Sequence, residues 1–248
     1  MSETPKVVCA EQKKLFLAQA AKEEALAEKT RHEAAMYRQQ ALEAEYSATR
    51  ARFRMNEERR AEDAYLASDA NHHVFRFTAD INEMSVALCI SSLTRWARNN
   101  PKCDLTIIFC SPGGSITDGF ALYDFIQDLK RSGHKVITKT HGMAASMAGV
   151  LLQAGTVRVA GRESWILIHE ASFLALGKMG AVEDTVAWVK KMCERIIDIF
   201  SERAANAHSS LGKDPKKIAS FIKKNWERKD FWISAPEALK YGFVDSVE

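Results

Sequence analysis

From Ala10 to Leu66 the chain carries neither glycine nor proline, and it is built almost entirely from Ala, Glu, Lys, Arg, Gln and Leu. Strong helix formers without a breaker predict one long helix, about 85 Å if unbroken at 1.5 Å per residue. Over residues 1–66, 12 basic and 12 acidic side chains cancel. The apolar positions Leu15, Leu26, Met36, Leu42, Tyr46, Phe53 and Tyr65 keep no strict heptad, so a coiled coil is weakly specified. Residues 1–70 are therefore expected to form a solvated helical arm that packs on another subunit or a partner. The arginines between Arg50 and Arg60 are interleaved with Glu57 and Glu58, the pattern of a solvated face rather than a nucleic-acid patch.

Beyond the arm the grammar changes. All 12 glycines lie between Gly113 and Gly242, and no proline occurs between Pro5 and Pro101. Val74-Phe75-Arg76-Phe77 alternates like a strand, and Glu83 to Arg98 has helical spacing. Leu105 to Cys110 is a short apolar run bounded by Asp104 and Ser111-Pro112-Gly113-Gly114, which predicts a buried strand. A helix over Asp118–Arg131, a strand over Lys135–Lys139, a helix over Ala145–Ala154, a strand over Trp165–Ile168 and a long helix from about Val182 to His208 follow. Strands alternating with such helices predict βαβ crossovers and a mostly parallel sheet, one α/β domain over residues 71–248.

Composition narrows the function classes. Lys and Arg number 35 against 32 Asp and Glu, a net charge of +3, which is no footprint for nucleic acid. No run of about 18 apolar residues predicts a membrane span. Residues Met1 to Lys6 lack the basic and apolar regions of a secretory signal. The cysteines, Cys9, Cys89, Cys103, Cys110 and Cys193, are odd in number without a C-x-x-C spacing, so reduced thiols of a cytoplasmic protein are expected and no metal site.

Three strand ends carry polar residues, where open α/β sheets place ligands. Ser111-Pro112-Gly113-Gly114-Ser115 reads either as a tight turn or as a backbone N–H cradle for an oxyanion or phosphate, and it lacks the Walker A pattern. Gly142 to Gly149 surrounds Ser146 with small residues at a strand-to-helix junction. That serine is either a helix cap or a nucleophile placed by the logic of a nucleophile elbow, without the G-x-S-x-G pattern. His169 ends an apolar strand, as a packed residue or as the general base for Ser146. Its orienting carboxylate is left open by spacing: Asp230, Asp245, Glu170 and Asp184 all qualify.

Taken together, the stretches "NNPKCDLTIIFCSPGGSITDGFALYDFI", "HGMAASMAGVLLQAG", "WILIHE" and "KDFWISAPEALKYGFVDSV" resemble ClpP, the proteolytic subunit family of the Clp protease (peptidase family S14), over roughly residues 74–247. The resemblance implies a ClpP/crotonase-like βαβ superhelix and a serine endopeptidase without cofactor. It implies Ser146 as nucleophile, His169 as base, Asp230 as the third member, and the N–H groups of Gly114 and Met147 as oxyanion donors. Gly113, Ser115, Ile116, Ala171 and Ser172 fall at its substrate-binding positions. It further implies polypeptide substrates, a homo-oligomer of heptameric rings enclosing the sites, and an AAA+ unfoldase partner. Residues Ala171 to Asp184 occupy the family's handle position, which lines the cleft and meets the opposing ring.

Three departures stand out. About 70 mostly helical residues replace the short loop that meets the unfoldase, which speaks against that partnership. The usual H-Q-P after the base reads His169-Glu170-Ala171, and the handle is a few residues longer. A Clp-like core with a helical arm is also similar to phage head-maturation proteases. The competing classes are a catalytically inactive ring or scaffold subunit, acyl-CoA chemistry on a crotonase-like fold, and a Ser-Lys peptidase using Lys139 or Lys178. An intact Ser-His-Asp set argues against all three. His72-His73 lacks a third ligand at zinc spacing, and His141 reads as a turn residue. The stripe Trp188, Met192, Ile196 and Phe200 reads as packing or ring interface rather than a cofactor box.

Overall fold

The computed structural model describes residues 10–227 and 229–248, so Cys9 and the N-terminal hexapeptide lie outside the described residues. The chain divides into two compact units, residues 1–66 and 67–248. In the first, α1 (Ala10–Leu66) is one unbroken 57-residue helix with no buried residue, as its composition predicts. Local contacts support it: Lys29 pairs with Glu33 at 4.0 Å, Gln39 donates to Glu43, and the Thr30 and Thr49 hydroxyls bond the carbonyls of Leu26 and Glu45. Each such exposed contact contributes a few tenths of a kcal/mol, so propensity and length carry this helix.

The second unit runs β1 (Val74–Phe77), α2 (Glu83–Asn99), β2 (Asp104–Ser111), α3 (Ile116–Arg131), β3 (Lys135–Ala145), α4 (Met147–Leu152), β4 (Val157–Ala160), β5 (Trp165–Ile168), α5 (Met179–Ala205), α6 (Pro215–Trp226), β6 (Phe231–Ser234), α7 (Ala235–Tyr241) and β7 (Ser246–Val247). The sheet is ordered β1-β2-β3-β4-β7, with β5 branching from β3 and β6 pairing with β5. Every pair is parallel except β5–β6.

Several elements differ from the sequence expectation for identifiable reasons. β2 is buried on one face only: Leu105, Ile107 and Phe109 are fully buried while Thr106, Ile108 and Cys110 alternate outward, because helices cover one side of the sheet. β3 continues six residues past Lys139, through Gly142, since it pairs with β4 over Ile137–Thr140 and then with β5 over Met143–Ala145. The following helix accordingly starts at Met147, not Ala145, and ends at Leu152. The long helix α5 lies three residues earlier than expected at both ends.

The core is one contiguous cluster from Phe77 to Val244 that joins the sheet to α2, α3, α4, α5, α6 and α7. One ionic network is embedded in it. Arg158, 1% exposed at its side chain, donates from Nε to Asp245 Oδ2 at 3.1 Å and from its guanidinium to Gln153 Oε1 (2.8 Å) and the Gly242 carbonyl (2.9 Å). It ties β4 to the C-terminal strand and to the end of α4. The four described cysteines are free thiols. Among the described residues no helix is long and apolar enough to cross a membrane.

Candidate active site

The ends of β2, β3 and β5 and the start of the antiparallel β6 lie in one row. Ser111 pairs with Ala144, Ala144 with Ile166, and Ile166 with Ile233. Residues just beyond this row therefore converge although they are far apart in sequence.

Ser146 is the single residue between β3 and α4. It adopts φ 54°, ψ −124°, a backbone state costly for a residue with a Cβ. It sits at the cap position of α4, yet its hydroxyl makes no capping hydrogen bond. The capping alternative is thus removed, and the hydroxyl is not consumed by its own helix. The Ser146 N–H donates to the Leu167 carbonyl at 2.9 Å, locking the turn to β5 two residues before His169.

The glycine pair closes against this turn. Ile81 and Gly114 form a parallel bridge in which the Ile81 N–H donates to the Gly113 carbonyl and the Ser115 N–H to the Ile81 carbonyl, both at 2.8 Å. In such a bridge the middle residue's own N–H faces the other way, so that of Gly114 is turned from Ile81. A Cβ at Gly114 (φ 147°) would stand 2.3 Å from the Ile81 carbonyl oxygen. One at Gly113 (φ 97°) would stand 2.6 Å from the Ala145 oxygen, 2.7 Å from Ser146 Cβ and 3.0 Å from the Met147 nitrogen. Met147 is the first residue of α4, where helix geometry supplies its N–H with no acceptor. The Met147 N–H thus adjoins Ser146, and Gly114 lines the same opening as Ser146.

His169 follows β5, and Asp230 precedes β6. His169 Nδ1 lies 3.9 Å from Asp230 Oδ1, with the histidine side chain 28% exposed and the carboxylate 60% exposed. Of the other carboxylates left open by spacing, Asp245 is held by Arg158, Glu170 lines an adjoining groove with Lys190, Glu194 and Lys223, and Asp184 is exposed on α5. Lys139 pairs with Glu248, and Lys178 stands at the N-cap position of α5 without a side-chain cap bond.

A cleft of about 610 Å³ brings Ser146 and His169 together with Gly114, Ser115, Ile116, Ala171 and Ser172. Of the anticipated cleft residues only Gly113 is displaced: it backs Ser146 instead of lining the opening. The wall also contains Phe173, Leu174, Trp188 and Met192. The α5 stripe, assigned from its spacing to packing or a ring interface, supplies part of the cleft; the signal was present in its period and was one that core packing shares. His73 bonds Asn100 at 3.1 Å and packs on Trp96 (ring centroids 5.9 Å apart). Among the described residues no three His, Cys, Asp or Glu side chains come together as metal ligands would.

Comparison with known proteins adds a second line. A family model described as Clp protease matches residues 56–248. Over 150 residues the chain is 33% identical to the ATP-dependent Clp protease proteolytic subunit of Porphyromonas gingivalis, covering 60% of this chain and 61% of that protein. It is 31% identical to the subunit of the same name from Bacteroides fragilis, covering 60% of this chain and 65% of that protein. The chain therefore spans about six tenths of the length of these curated relatives.

Proposed function

The chain belongs to the Clp protease family, and on that premise we propose that it is a serine endopeptidase acting through Ser146, His169 and Asp230. The observation that carries the reading is the strained turn at Ser146, whose uncapped hydroxyl shares one cleft with His169.

In the proposed reaction His169 takes the hydroxyl proton as Ser146 Oγ attacks a peptide carbonyl, and Asp230 orients the imidazole and stabilises its positive charge. The N–H groups of Gly114 and Met147 hold the negative oxygen of the tetrahedral intermediate. Collapse breaks the C–N bond, and His169 gives its proton to the leaving amine. Water, deprotonated by the same histidine, then releases the acyl group and restores Ser146.

We further infer that the chain works as a homo-oligomer enclosing its sites, with the arm, residues 1–70, contacting a neighbouring subunit or another protein. Support comes from the exposed apolar side chains Leu174, Leu176 and Met179 beside the cleft, a concentration that marks interaction surfaces. The two relatives are named as ATP-dependent; the helical stretch at the N-terminus favours a reading in which peptides are cleaved without an unfoldase.

Hydrolysis of an unfolded polypeptide, followed by mass spectrometry with and without ATPase, tests the proposal. The expected result is cleavage by the wild type and none by Ser146→Ala. Equal cleavage by that variant overturns it.

A further inference from the structure

Beneath the opening lies a small hollow lined by Met147, Val150, Ile168, Ile196 and Phe200, which shares Ile116, Ser146, His169 and Ala171 with the cleft. Its volume is about 20 Å³, where one water needs roughly 10–15 Å³. The walls are apolar and fixed. Phe200 is 1% exposed and locked edge-on against Phe243, with ring centroids 5.3 Å apart. The Met147 side chain lies so close to Gly119 that a Cβ there would meet its Cγ at 2.3 Å. Val150 and Ile168 are buried.

A peptide's Cα is bonded to the carbonyl carbon that Ser146 would attack. Both the hollow and the outer cleft border Ser146 and His169; of the two, the hollow lies among buried apolar side chains and so suits the side chain of the residue supplying that carbonyl. We propose that this hollow sets cleavage specificity, with Ile196 and Phe200 as its floor, so that cuts fall after glycine, alanine or serine and not after large apolar residues. The proposal rests on the peptidase reading above. The wide outer cleft, by contrast, accepts the rest of the substrate without comparable selection.

Three peptides, alike except for Ala, Leu or Phe before the scissile bond, test it on the full-length protein. The wild type is expected to favour Ala over Leu and Phe in kcat/KM by at least about tenfold. Ile196→Ala, or the milder Ile196→Val where the first does not fold, should raise the rate on Leu relative to Ala. A wild type that prefers Leu or Phe overturns the proposal, as does a folded Ile196 variant with unchanged preference. No cleavage of any of the three, together with no fluorophosphonate adduct on Ser146, overturns the peptidase reading itself and the pocket with it.

Discussion

His169 and Asp230 are the next cross-strand pair beyond Ile168 and Phe231, the last register partners of β5 and β6. The antiparallel register, continued one step past both strands, sets Nδ1 3.9 Å from Oδ1. That separation is longer than a hydrogen bond, as catalytic pairs often are before substrate tightens them.

In the proposed triad, a carboxylate this exposed and this distant would orient the imidazole more than drive the chemistry. Asp230→Asn should lower kcat on the order of 100-fold less severely than Ser146→Ala or His169→Ala, which act as a unit. Single-turnover hydrolysis of one peptide by the three variants checks this. Equal losses would assign Asp230 a larger role.

The close approach of the glycine turn makes its two positions intolerant for different reasons. At Gly114 an alanine Cβ meets the Ile81 carbonyl and turns the N–H away, and at Gly113 it pushes on Ser146 itself. Gly114→Ala is expected to cost on the order of 10²–10³ in kcat, the effect of losing one oxyanion donor, and Gly113→Ala to lower kcat by displacing Ser146. Rates measured on variants with wild-type circular dichroism decide the matter; near wild-type kcat in Gly114→Ala contradicts the assignment.

Much of this arrangement was legible in the sequence, and the exceptions share a cause. The 57-residue helix follows from composition, and β1 and β5 from alternation and an apolar run, because each is specified locally. Gly142 reads as a breaker, yet β3 runs through it because pairing partners on both sides hold it. β6 has four residues and reverses direction in an otherwise parallel sheet, which no local pattern announces. With β6 unseen, the proximity of Asp230 to His169 was inaccessible to spacing, and only family resemblance singled it out. The start of α7 does carry a local signal, the capping box of Ser234 and Glu237.

Stability should carry a signature of the buried Arg158 network. Burial alone pushes the Asp245 carboxyl up, but the hydrogen bonds and charge of Arg158 outweigh it and hold the group below the usual range. A lowered folded-state pKa gives stability that is present above the ordinary carboxylate value of about 4 and lost as pH falls through the folded one. Asp245→Asn should cost about 3 kcal/mol at neutral pH, because it leaves Arg158 charged and unpaired. Its urea midpoint should then fall less steeply than the wild type's below about pH 4. Parallel pH curves would contradict this.

The whole hydrophobic core lies between Phe77 and Val244, and α1 buries none of its residues. Residues 67–248 alone are therefore expected to unfold cooperatively in urea. If the arm joins subunits or partners as proposed, native mass spectrometry will show a changed assembly state on its removal. An unchanged assembly overturns that role, and loss of cooperative unfolding contradicts the independence of the core.

The central claim is that Ser146 is an activated nucleophile, and intact-mass detection of fluorophosphonate labelling tests it most directly. On the largest assembly isolated, the account predicts one adduct on the wild type and none on Ser146→Ala or His169→Ala. An unlabelled wild type, or an adduct that survives Ser146→Ala, would contradict it.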